Sequence, residues 1–228
     1  MNLMDLLEIL FPKKCVACNS LGSYLCQSCS QKIEYLEIQK CPYCYQPAIS
    51  GLTHPKCQRK FGLDGVISLV NYKTPVRELI KSLKYRYTTN LLGVLEERIL
   101  FYKLQLNNTL KKSLLIPVPM YRTKQKARGF NQAELLGELF AKKFNFGFEN
   151  KMVIKSKATE SQVGLSQKER AKNVKDVFIL NKDLESGVEN YFVFDDVWTS
   201  GATLKEIAYV LKKAGAVSVW GLTLAHRD

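Results

Sequence analysis

Beyond residue 60 the chain alternates short apolar runs with stretches of helical spacing. Val66-Ile67-Ser68-Leu69-Val70 predicts a strand, and after Thr74-Pro75 the apolar positions Val76, Leu79, Ile80 and Leu83 predict a helix. Leu91 to Leu104 predicts a further amphipathic helix packed on the core. Leu114-Leu115-Ile116 begins the next strand, which Pro117 and Pro119 end abruptly, because proline offers no N–H to a ladder. From Asn131 the positions Ala133, Leu135, Leu136, Leu139 and Phe140 resume helical spacing. Lys155 to Lys175 shows no sustained apolar period until Val177-Phe178-Ile179-Leu180 restores one. Tyr191-Phe192-Val193-Phe194 reads as a buried strand, Leu204 to Lys213 as a helix, and Val217 to Leu224 as a closing strand after the Ala214-Gly215-Ala216 turn. This alternation gives the region α/β character and an open sheet.

Residues 1–60 follow neither period. All seven cysteines fall there, as Cys15-x2-Cys18, Cys26-x2-Cys29, Cys41-x2-Cys44 and Cys57. The spacing is that of zinc knuckles, and His54-x2-Cys57 repeats it, so His54 supplies the missing ligand. The set suffices for two closed tetrahedral zinc sites, which leave no position for water and are therefore structural. So turn-rich a segment buries little surface, and metal binding supplies most of its folding free energy. Disulfides compete as a reading, but an odd number of cysteines leaves one unpaired. Met1 to Phe11 carries Asp5 and Glu8, lacks a basic leader and a small-residue cleavage site, and reads as a short docking helix. Sequential ligand sets, Cys15/Cys18/Cys26/Cys29 and Cys41/Cys44/His54/Cys57, need only short hairpins. A cross-braced arrangement, with the first and third pairs sharing one metal, is the alternative. The expected division is a zinc-ribbon module over 1–60 and an α/β domain over 61–228. No apolar run approaches the roughly 20 residues that span a bilayer, so a cytoplasmic chain is expected.

The formal charge of +13 is uneven: residues 116–180 hold 13 Lys and Arg against 6 Asp and Glu. An excess of that kind suits a polyanion, either a small pyrophosphate or a nucleic-acid backbone, although solubilising surface charge also accounts for it. Lys84 and Arg86 sit among Tyr85 and Tyr87, a mixture that stacks bases while neutralising phosphates; a solvated helix end explains it equally. Between Pro119 and Asn131 a basic loop carries Arg122, Lys124, Lys126 and Arg128, a second candidate anion site at a strand end.

The chemistry concentrates after Phe194. Asp195 and Asp196 are followed by Thr199, Ser200, Gly201, Ala202 and Thr203, a hydroxyl- and glycine-rich loop leading into a helix. A helix N-terminus attracts an anion, Gly201 lets the backbone approach it, and the hydroxyls add donors. Carboxylates accept hydrogen bonds from sugar hydroxyls or hold the waters of a divalent cation, so the pattern suits a ribose 5-phosphate. The plainer reading is a buried strand, a capped helix and two solvated acids.

The segment Tyr191 to Thr203 resembles the signature of the type I phosphoribosyltransferases. That resemblance implies a parallel sheet flanked by helices, and a site for phosphoribosyl pyrophosphate (PRPP) with Mg²⁺, in which the acids meet the ribose hydroxyls and the loop wraps the 5-phosphate. It further implies that Met120, Tyr121 and Arg122 bind the pyrophosphate, and that the segment after Lys155 is a flap whose Lys168, Arg170 or Lys172 reaches the leaving group. A narrower likeness rests on Pro117-Val118-Pro119, Arg122, Arg128-Gly129-Phe130-Asn131-Gln132, Gln162, Leu165, Arg170, Asn173-Val174 and the acidic motif. Together with the zinc head these resemble the ComF/ComFC competence family over essentially the whole chain. His54 stands where that family more often has cysteine, and Trp198 where it has a small aliphatic residue; Trp198 would narrow the pocket or serve as a stacking platform.

The family likeness implies a role in natural transformation, with single-stranded DNA as a partner, and Lys84, Arg86, Lys126, Arg128, Lys168 and Arg170 are the candidate anion or DNA contacts. Two other readings stand beside it. One is an active transferase that moves ribose 5-phosphate from PRPP to a nitrogen acceptor. The other is an adaptor whose zinc head docks a competence helicase or membrane DNA channel, at the inner face of the membrane.

Overall fold

A computed structural model describes residues 12–83, 88–98, 112–158 and 167–227. The expected docking helix over Met1 to Phe11, the pair Lys84 and Arg86, and Gln162 and Leu165 lie outside the described residues. In chain order the strands are β1 (Gly65–Asn71), β2 (Ser113–Pro117), β3 (Gly147–Phe148), β4 (Val153–Lys155), β5 (Phe178–Leu180), β6 (Asn190–Trp198) and β7 (Ser218–His226). The α-helices are α1 (Gln27–Ser30), α2 (Val76–Leu83), α3 (Thr88–Arg98), α4 (Arg122–Arg128), α5 (Gln132–Phe144), α6 (Gln167–Val174) and α7 (Ala202–Lys213).

The main sheet runs β1-β7-β6-β2-β3, with each pair parallel. Its strands read as continuous apolar runs because both faces are covered. Phe192, Phe194, Leu222 and Leu224 pack with Leu79, Leu91 and Phe140 of α2, α3 and α5. The alternate residues Tyr191, Val193, Leu114 and Ile116 pack with Leu204, Ile207 and Leu211 of α7. Strand period two thus sends neighbouring side chains into two separate cores. β4 and β5 form an antiparallel ribbon outside this sheet.

The connections fix where a ligand can sit. β2 leads to α5 on one face, while its neighbour β6 leads to α7 on the other. Chains that leave adjacent strands in opposite directions open a crevice at the strand ends, the preferred ligand position in an open α/β sheet.

The expected closing strand lies inside the sheet, between β1 and β6, with its residues buried on both sides. Two expectations change. β6 does not end at Phe194 but continues to Trp198, since Asp195, Val197 and Trp198 pair with Thr223, Ala225 and His226 of β7. The basic loop holds a helix, α4, whose Arg-Thr-Lys-Gln-Lys-Ala-Arg is composed almost wholly of good helix formers and stops at Gly129 with φ of 87°.

The cysteine-rich head covers the open edge of β1. Gln39 brackets Ser68, accepting from its N–H at 2.9 Å and donating to its carbonyl at 3.0 Å. Leu52 and Tyr35 bridge to Gly65 and Val70. Gly51 lies in this seam with φ of +78°, and a Cβ there would fall on the carbonyl oxygen of Val66. Gly51→Ala therefore faces both left-handed strain and a backbone collision, and should cost about 2 kcal/mol or more. Denaturant unfolding would show it as a lowered midpoint with little change of slope.

Candidate functional site

Two clusters in the head have the arrangement of metal sites. The donor atoms of Cys15, Cys18, Cys26 and Cys29 lie within 4.8 Å of one another, as do those of Cys41, Cys44, His54 and Cys57. The grouping is sequential, not cross-braced. None of the seven cysteines is in a disulfide. So close together the sulfurs pull one another apart in acidity: hydrogen bonding led by Ser28 lowers Cys26 to about 5, while burial and its neighbours push Cys29 up to about 12. A divalent cation removes that conflict by letting every sulfur bind as thiolate. His54 is oriented as a ligand of such a cation. Its Nε2 lies 3.0 Å from the carbonyl of Pro47, which can only accept a hydrogen bond from it, and Nδ1 faces Cys44 Sγ at 3.2 Å. The donor set fits two closed zinc sites.

The second centre is the crevice. Asp195 and Asp196 are half-buried near the end of β6, and Asp195 Oδ1 accepts from the Asp196 N–H at 2.9 Å. Successive strand residues diverge, so the two acids have different neighbours. Lys155 of β4 feels Asp195; burial lowers the pKa of this lysine, the Lys124 charge lowers it further, and Asp195 partly opposes them. On the other side burial and the Asp196 charge push the phenol of Tyr72 up, with Arg227 and Arg77 opposing. Met120, Tyr121, Lys124, Arg128, Lys155 and both acids line one cleft of 220 Å³.

Beyond the acids, Thr199, Ser200 and Gly201 make a three-residue loop into α7, with Ala202 and Thr203 already in its first turn. Gly201 is left-handed at φ of 66°, and a Cβ on it would stand 2.8 Å from Trp198 Nε1. The Trp198 N–H is buried without a hydrogen-bond partner among the described residues, in the wall of the small notch that this loop encloses. A left-handed glycine, a helix N-terminus and an orphaned donor in one notch suit an anion there.

The sequence is related to known proteins along most of its length. The double zinc ribbon domain family matches residues 6–58. The DNA utilization protein YhgH of Escherichia coli (strain K12) is 29% identical over 222 residues, 92% of this chain and 96% of that protein. Competence protein ComFC of Bacillus subtilis is 25% identical over 217 residues, 88% and 83% of the two chains. Competence protein F of Haemophilus influenzae is 40% identical over 115 residues, 49% and 50%. This chain is a ComF/ComFC homologue. Among its described residues no helix is long and apolar enough to cross a membrane.

Against that relationship, the placement of each expected residue is informative. Met120 and Tyr121 line the acidic cleft, whereas exposed Arg122 lines the adjoining cavity under β4. Arg128 lies in the cleft and Lys126 is exposed on α4. Lys168 and Arg170 belong to α6, but their side chains lie outside the described residues. Trp198 is no platform for a ligand: it is buried, stacked on Tyr45 at 5.9 Å and against His226 at 4.3 Å.

Sequence reasoning missed three residues of the crevice and its support, and had Lys124 only as one cation of the basic loop. Lys124 and Lys155 both line the cleft, although Lys155 looked like the start of a polar stretch. Tyr45, beside the ligand Cys44, donates to the Ser200 carbonyl at 2.9 Å. Lys205 donates to the same carbonyl at 3.0 Å and to the Tyr45 oxygen at 3.2 Å. The second ligand cluster is therefore one residue away from a strut under the Thr199–Gly201 loop.

Lys205 gives the site a pH signature. Burial, aided by the Arg59 charge, lowers it to about 8. Folding thus disfavours its cation, and stability rises as pH climbs from about 8 towards the ordinary lysine value, where only the unfolded chain still holds the proton. Urea unfolding at about pH 7 and about pH 9.5 should show this rise in the wild type relative to Lys205→Met. Parallel profiles for the two proteins would refute it.

Proposed function

We propose that this ComF homologue binds PRPP with Mg²⁺ in the crevice and handles single-stranded DNA during its uptake or use. The observation that carries the reading is the meeting, at one switch point, of Asp195, Asp196 and the Thr199–Thr203 loop with Lys124 and Arg128 from the adjacent strand's connection. The loop would take the 5-phosphate, the acids the ribose hydroxyls and the waters of Mg²⁺, and Met120, Tyr121 and Arg122 the pyrophosphate side. Parallel strands flanked by helices, with a separate antiparallel ribbon over the crevice, support a type I phosphoribosyltransferase fold. Two structural zinc ions would hold the head as a module distinct from the α/β domain that starts near residue 61. The DNA part rests on the names of the relatives, competence and DNA utilization proteins, and on the excess of positive charge. Calorimetric titration of PRPP with and without Mg²⁺ tests the crevice: saturable, magnesium-dependent binding is expected, and its absence sinks the reading.

A second reading, turnover, is favoured by one feature. A cavity of 740 Å³ adjoins the crevice and shares Met120, Tyr121 and Lys155 with it, room for a nitrogen acceptor beside the sugar. PRPP-dependent release of pyrophosphate with a panel of bases would establish it.

A further inference from the structure

A second cavity, of 450 Å³, lies behind the anion loop, between the second zinc ribbon and α7. Its lining mixes rings and cations: Tyr43, Arg59 and Phe61 from the ribbon side, Lys205 and Tyr209 from the helix. Phe61 meets Tyr209 edge-on at 5.7 Å. Each ring carries a cation nearby, with Arg59 4.6 Å above Tyr43, Lys60 5.3 Å from Phe61 and Lys213 5.8 Å from Tyr209. None of Arg59, Lys60 and Lys213 is in an ion pair with a described carboxylate. The one acid in the wall, Glu206, accepts from the Asp176 N–H at 2.8 Å. Tyr209 is 40% exposed.

We propose that this cleft is a single-strand nucleic-acid site, which takes an unstacked base among Tyr43, Phe61 and Tyr209 and the flanking phosphates on Arg59, Lys60 and Lys213. The inference rests on the single-strand part of the function proposed above and gives it a location away from the acidic crevice. Rings offer every base a stacking face without reading its identity, and the cations follow the backbone, so affinity is sequence-tolerant and salt-dependent. A duplex keeps its bases stacked and cannot present one to a recess between two elements. An acidic peptide would use the cations and leave the rings idle.

Fluorescence anisotropy of a labelled oligothymidylate of about 20 nucleotides tests the placement, with Tyr209→Ala, Phe61→Ala/Tyr209→Ala and Arg59→Glu/Lys60→Glu beside the full-length wild type. The ring variants should weaken binding about tenfold or more. The charge variant should also flatten the plot of log affinity against log salt by roughly 1.4, two phosphates' worth on a single strand. Zinc content should stay at the wild-type value in every variant and PRPP affinity in the ring variants, and Tyr209→Ala, on an exposed helix position, keeps the test valid if the double variant folds poorly. Wild-type affinity that survives unchanged in Tyr209→Ala and in the charge variant overturns the placement alone. Absence of any wild-type affinity at low salt overturns the single-strand reading itself, while PRPP titration reports on the crevice independently.

Discussion

Replacing Asp195 and Asp196 together by asparagine should weaken PRPP binding about a hundredfold or more while leaving the protein folded. Each carboxylate can accept from a sugar hydroxyl or from a water on Mg²⁺, and a hydrogen bond to a charged group is worth about 1.5–3 kcal/mol. Two such losses amount to roughly 3–6 kcal/mol, or about 10²- to 10⁴-fold in dissociation constant. The amide keeps the shape but presents a donor where the ligand also donates. Folding is spared because Asp195 contributes to β6 through its backbone pairing with Thr223 of β7, which asparagine retains. The substitution also removes the negative charge that steadies Lys155, so the pKa of that lysine should fall further. Calorimetry gives the affinity and a thermal melt the fold. A double variant that binds PRPP within about threefold of wild type would show that the acids do not hold the sugar.

The fold was most legible where burial on both faces writes a continuous apolar run, as in Val66 to Val70 and Tyr191 to Phe194. It was least legible where pairing partners, not side chains, decide. Asp195 and Asp196 look like the end of a strand, yet β7 extends alongside them and the ladder continues. α4 has no buried residue, so hydrophobic periodicity could not find it, although its composition favours a helix. The central place of the final strand is a property of sheet order and leaves no local trace. The ligand clusters were legible because tetrahedral metal geometry acts through short spacings: His54 stands out only beside three other x2 pairs. Tyr45 and Lys205 were hidden because their significance is mutual. Each alone is a polar residue on a knuckle or a helix; a shared carbonyl, that of Ser200, makes them one feature.

That shared carbonyl makes metal removal the other large expected effect. Apparent zinc binding to small ribbons is worth about 10–16 kcal/mol, more than so small a head can recover by burial, so a strong chelator should unfold the head. The consequence should reach the crevice through the second cluster more than the first. Cys44 is the neighbour of Tyr45, whose hydroxyl holds Ser200 and whose ring stacks on Trp198 beneath the loop. Cys44→Ser should therefore release zinc, shift tryptophan fluorescence and weaken PRPP binding by about tenfold, whereas Cys18→Ser should release zinc with a smaller change in PRPP affinity. Tyr45→Phe separates the hydroxyl from the metal: it keeps the stack and both zinc ions, loses the bond to the Ser200 carbonyl, worth about 0.5–1.5 kcal/mol, along with the one from Lys205, which keeps its own bond to that carbonyl, and should weaken PRPP binding by about 2- to 12-fold or somewhat more. If Cys18→Ser and Cys44→Ser impair PRPP binding equally, the head acts on the crevice only through general stability. If they differ in the expected order, and Tyr45→Phe reproduces part of the Cys44→Ser loss, the second ribbon is a structural member of the anion loop.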